Sequence, residues 1–82
     1  MNPQFVNDEP VAFFNSRKTT MRRKKAHMAT ITALQDKSTQ SHSAAATAHE
    51  DAASCYREEG DEDAAIYHDR KAAYHRQRGI IA

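Results

Sequence analysis

The stretch "AHEDAASCYREEGDEDAAIYHDRKAAYHRQ", Ala48 to Gln77, decides the fold. Alanine, the best helix former, recurs on both sides of one glycine. Gly60 suits the left-handed residue that ends a helix. Asp61, Glu62 and Asp63 follow at once, an N-cap acid and two first-turn acids on the positive end of a new helix dipole. His75, Arg76 and Arg78 then gather where a helix C-terminus favours cations. The stretch therefore predicts two antiparallel helices, about 44–59 and 62–77. Gly79 is the expected stop, with Ile80 and Ile81 folding back as its apolar contact.

Upstream, "STQSHS", Ser38 to Ser43, reads as a break, because serine and threonine hydroxyls bond nearby backbone and favour caps and turns. A first helix is expected over about 17–37. Met21, Met28, Ile31 and Leu34 fall at steps of seven, three and three and predict its apolar stripe. Residues 1–15 hold both prolines and all three phenylalanines and predict an extended arm, because proline lacks the backbone donor a helix needs. The expected class is all-α, one small helical domain over 16–82 behind the arm.

A chain of 82 residues buries a modest core. Valine, isoleucine, leucine and phenylalanine together supply ten residues, against fifteen alanines. That predicts a thin, alanine-lined interior that a partner completes. The single Cys55 excludes an internal disulfide and fits a reducing compartment. No run is long and apolar enough for a membrane span, and "MNPQFVNDEP" has no signal-peptide pattern, so the expectation is a cytoplasmic protein.

Charge is the most informative feature. Six of nine positions from Arg17 to Lys25 are cationic, while the whole chain has a formal net charge of only +1. Cations in the first turns oppose the helix dipole and repel one another. Arg17, Lys18, Arg22, Arg23, Lys24 and Lys25 are therefore read as contacts for a nucleic-acid backbone, the usual neutraliser of a dense Lys/Arg run. The alternative neutraliser lies in the chain itself, since Glu50 to Asp63 holds seven acids and one base. A second basic-aromatic stripe, Tyr67, Arg70, Lys71 and Tyr74, together with Phe5, Phe13 and Phe14, is read as a surface for a protein partner.

Other chemistry finds little support. His42 and His49 are seven apart, as are His68 and His75, whereas metal pairs on one helix stand three or four apart. They are read as exposed groups titrating near neutrality, with no metal or cofactor expected. Cys55 sits in an alanine run as a small core residue, and two glycines make no phosphate loop, so no enzyme is expected.

Two resemblances add to this reading. Ala53, Tyr56, Gly60, Ala65 and Ala72 stand where a tetratricopeptide repeat places small, aromatic, glycine and small residues. Asp69 and Gln77 depart from that pattern. The likeness implies only a helical hairpin. In size, basic run and composition the chain also resembles small phage accessory regulators of the corepressor type. That implies a DNA-bound repressor as partner. The expectation is a non-enzymatic adaptor or corepressor that binds such a protein and strengthens its complex through non-specific phosphate contacts. A stoichiometric inhibitor of a host nuclease or defence complex is the rival from another class.

Overall fold

The computed structural model describes residues 16–81. The expected arm, residues 1–15, lies outside the described residues, and with it Phe5, Phe13 and Phe14. Three helices of 20 residues follow one another: α1 (Arg17–Asp36), α2 (Thr39–Glu58) and α3 (Glu62–Ile81). Among the described residues there is no strand, so the all-α class holds.

Each boundary has a local cause. Ser16 caps α1 by accepting from the Thr19 N–H at 3.1 Å. Lys37 ends α1 in the left-handed conformation, φ 59°, donating its N–H to the Ala33 carbonyl at 2.8 Å. Ser38 then caps α2 by accepting from the Ser41 N–H at 3.0 Å. The break is thus two residues, 37 and 38, and Thr39 to Ser43 are helical rather than loop. The two remaining serines continue the helix because His42 is needed in the interior, as shown below.

The α2–α3 turn closes through two paired hydrogen bonds. Asp61 donates its N–H to the Tyr56 carbonyl at 2.9 Å and Gly60 to that of Arg57 at 3.1 Å. This is the Schellman closure, and it requires the positive φ of 80° that glycine adopts without strain. The Asp61 carboxylate caps α3 by accepting from the Ala64 N–H at 3.2 Å. At the other end α3 does not stop at Gly79. Gly79 is buried against α2, and its carbonyl accepts from the Thr39 hydroxyl at 3.0 Å, so the helix continues to Ile81.

α2 lies antiparallel to both neighbours and packs on each. Ala53 and Tyr56 of α2 meet Ala64 and Ala65 of α3. Ala26 of α1 meets Ala48 and Ala52 of α2. α1 therefore turns its small residues inward: Thr19, Ala26 and Ala33, seven apart, are its buried positions. The stripe expected from Met21, Met28, Ile31 and Leu34 is not the packed face. Met21 and Met28 are 61% and 60% exposed. Small residues win the interface because they let two helix backbones approach closely, while large side chains there would hold the helices apart. α1 and α3 stand further from one another: their Cα atoms stay more than 8 Å apart.

Close alanine packing leaves no room for added methyl groups. Ala26→Leu, at a fully buried site, is expected to destabilise the fold by about 1–3 kcal/mol through overpacking, read from the midpoint of urea unfolding. An unchanged midpoint would contradict the close contact of α1 with α2.

Candidate functional site

The space that alanine leaves is filled by imidazole. His42, His49, His68 and His75 are all buried, so the reading of these residues as exposed is corrected. The seven-residue spacing places each pair on one inward helix face. Antiparallel packing then sets α2 rings against α3 rings. His42 Nδ1 lies 3.0 Å from His75 Nδ1, and His49 Nδ1 lies 2.8 Å from His68 Nδ1. The rings stack in series: His49 on His75 with centroids 5.6 Å apart, His49 on His68 at 5.0 Å and Tyr56 on His68 at 5.4 Å.

A neutral imidazole has one donor and one acceptor, so each facing Nδ1 pair holds a single proton. Thr30 of α1 ties the pairs together. Its Oγ1 lies 2.7 Å from His49 Nε2 and 3.3 Å from His75 Nε2. The hydroxyl has one proton to donate. It can donate to only one of the two rings, so at least one of His49 and His75 carries its proton on Nε2. Burial, then the facing His42, then Lys71, lower the His75 pKa from 6.5 to about 4. His75 is thus neutral at physiological pH. Among the described residues no three His, Cys, Asp or Glu side chains are placed to hold an ion.

Above this floor, the divergence of α1 and α3 opens a groove of about 440 Å³. Arg23, His27, Ile31 and Leu34 line it from α1, and Tyr67, Lys71 and Tyr74 from α3. Two groups assigned to different partners from sequence, Arg23 and the Tyr67–Lys71–Tyr74 stripe, therefore share one site. Lys71 Nζ sits 5.4 Å from the Tyr67 ring centroid, a cation–π approach. Tyr67 and Tyr74 present their rings edge-on to His68 and His75. Ile31, Leu34 and Tyr74 remain 37%, 49% and 45% exposed. Arg70 is exposed on α3 and does not line the groove.

The six cations of α1 separate into two sets. Lys18 approaches Glu58 at 3.7 Å and Arg22 approaches Asp51 at 3.9 Å, long pairs between exposed side chains. Arg17, Arg23, Lys24 and Lys25 have no acidic side chain within 4 Å among the described residues. Four of the acids between Glu50 and Asp63 are engaged elsewhere. Glu50 binds Arg76 at 2.7 Å, and Glu62 binds Arg57, which also holds Asp69 at 2.8 Å. Asp61 caps α3. Glu59 sits at the start of α1, accepting from the Ser16 N–H at 3.2 Å and from the Thr19 hydroxyl. Hydrogen bonding by Ser16, then by Thr19, holds its carboxyl below the ordinary value. This carboxylate offsets the dipole penalty of the first-turn cations. Part of the compensation is therefore internal.

Compared with known protein families, curated proteins and solved structures, the chain matches none of them. No helix among the described residues is long and apolar enough to cross a membrane.

The imidazole network makes stability depend on pH with a definite sign. His75 binds a proton near pH 6.5 when unfolded and near 4 when folded. Its contribution is fully present above 6.5 and is lost as pH falls from 6.5 towards 4. Urea unfolding across this window is expected to lose on the order of 1.4 kcal/mol per pH unit for this one proton. In His75→Leu that slope falls. An identical slope in the variant would contradict the assignment.

Proposed function

We propose that this chain is a non-enzymatic adaptor that holds a protein partner and rests the outer surface of α1 on a nucleic-acid backbone. The observation that carries the reading is the set of α1 cations that have no acidic partner among the described residues, although α2, the α2–α3 turn and the first turn of α3 carry seven acids. Arg17, Lys24 and Lys25 are exposed and line no groove, so they are available to phosphate. Lys18 and Arg22 instead make long surface pairs with Glu58 and Asp51, worth about 0–1 kcal/mol. Nothing in α1 presents a base-reading face, so the contact is electrostatic and independent of sequence.

Such a contact alone is weak, roughly 10⁻⁴–10⁻⁶ M. Joined to a protein that already sits on DNA, it acts at high effective concentration and tightens the whole complex. That is corepressor chemistry. The resemblance to small phage regulators supports a DNA-bound repressor as the partner class. Tyr67, Lys71 and Tyr74 are the described residues for the protein contact.

Titration of a labelled DNA duplex by fluorescence anisotropy tests the nucleic-acid half. Three phosphate contacts give a salt slope near −2.7, so affinity is expected to fall about 40-fold between roughly 50 and 200 mM salt. Arg17→Gln/Lys24→Gln/Lys25→Gln should flatten that dependence to about fourfold or less. A variant as salt-sensitive as the wild type would overturn the reading. So would DNA-independent inhibition of a nuclease that the same variant retains.

A further inference from the structure

The groove between α1 and α3 occupies the place of a missing helix. Both helices pack closely on α2, while their own Cα atoms stay more than 8 Å apart. The trough between them is bounded by parallel helical walls. From Arg23 to Leu34 its α1 wall runs about 16 Å, three turns. Its apolar side chains, Ile31, Leu34 and Tyr74, are large and half exposed, whereas the buried helix–helix contacts are made by small residues, imidazole and Tyr56. We propose that this groove receives an amphipathic helix of a partner protein, with apolar residues at i, i+3 or i+4, and i+7 and acidic residues along its flanks. The proposal rests on the adaptor reading and specifies the chemistry of its protein partner.

Charge selects the flanks. Arg23 and His27 line one wall and Lys71 the other, and no carboxylate among the described residues lines the groove. An incoming Glu or Asp on each side of an apolar stripe meets a cation there, while a basic helix meets repulsion. The apolar interior selects against phosphate. An anion pressed on Ile31, Leu34 and Tyr74 would lose hydration without a full set of donors. An apolar helix face loses nothing by the same burial and gains it as binding energy. The floor adds rigidity: His49, His68 and His75 are locked by ring stacking and Nδ1 or Nε2 contacts, so the groove is preformed. A preformed groove does not have to be ordered at the moment of binding.

The probe is a synthetic helical peptide of about 18 residues, five turns, with leucines at the stated spacing and glutamates on both flanks. A second peptide carries lysines in place of the glutamates. Each is titrated by anisotropy into the full-length protein, and the site is mapped from amide shifts in two-dimensional NMR. The glutamate peptide is expected to bind with shifts centred on Ile31, Leu34 and Tyr74. The lysine peptide should bind at least tenfold more weakly. Leu34→Glu, at an exposed position that leaves the fold intact by circular dichroism, should weaken the glutamate peptide at least tenfold. Arg17→Gln/Lys24→Gln/Lys25→Gln should bind it unchanged, which separates failure of the groove from failure of the nucleic-acid contact.

Equal binding of the two peptides, or binding of neither, overturns the proposal. So does a homodimer in ultracentrifugation that Leu34→Glu disrupts, since a second copy would then be the occupant. Peptide binding that appears only after removal of residues 1–15 also overturns it, because the chain would fill its own groove. Amide shifts at Ile31 and Leu34 on addition of duplex DNA overturn it by assigning the groove to nucleic acid.

Discussion

The buried stack of imidazoles between α2 and α3 is the interaction on which the rest depends. Alanine brings helix backbones together but offers little side-chain volume, and a core of alanine alone gains little from burial. Four histidines and Tyr56 supply that volume. They also supply direction. His42 faces His75 and His49 faces His68 in one antiparallel register, through nitrogen atoms that each need a donor or an acceptor. A slip of one residue would turn those rings away and strand polar atoms in the interior, at a cost of about 1–3 kcal/mol for each. Packing alone is permissive, and the hydrogen-bonded pairs fix the alignment of α3 on α2.

The same stack explains the open side. Thr30 reaches from α1 to both pairs and anchors α1 against α2 near its middle. With α1 held there by small residues, its large side chains cannot also turn inward. Ile31 and Leu34 fall on the flank facing α3 and stay half exposed. The groove is therefore a by-product of how the core is built, and its floor is the core itself. The charge pattern follows the same geometry. Acids at the end of α2 and its cap lie beside the start of α1 and take up Lys18 and the Thr19 hydroxyl, and Asp51 within α2 takes up Arg22. Cations pointing away from α2 are beyond their reach.

Much of this was legible in the residues, and the rest was hidden for physical reasons. Gly60 followed by three acids specified the α2–α3 turn, because glycine and N-cap carboxylates act locally. The α1–α2 break was placed too broadly, since a run of serines offers several equivalent caps and only the burial of His42 chooses Ser38. The inward face of α1 was misread because size was taken as the mark of burial. Thr19, Ala26 and Ala33 form the packed heptad, and Met21 and Met28 lie outside. The histidine spacing was visible, but seven-residue spacing describes a core position as well as a surface one. What distinguishes them is a second helix with the same spacing running the other way. Tyr67, Lys71 and Tyr74 could be placed on one face from sequence, whereas their meeting with Arg23 required the fold.

The most direct measurement is the tautomeric state of the four buried rings by ¹⁵N NMR of the imidazole nitrogens at a pH above 6.5, where His75 is neutral. The account predicts one protonated Nδ1 in each facing pair, protected from solvent exchange, and a protonated Nε2 on at least one of His49 and His75. Four rings all protonated at Nε2 and exchanging freely would contradict it.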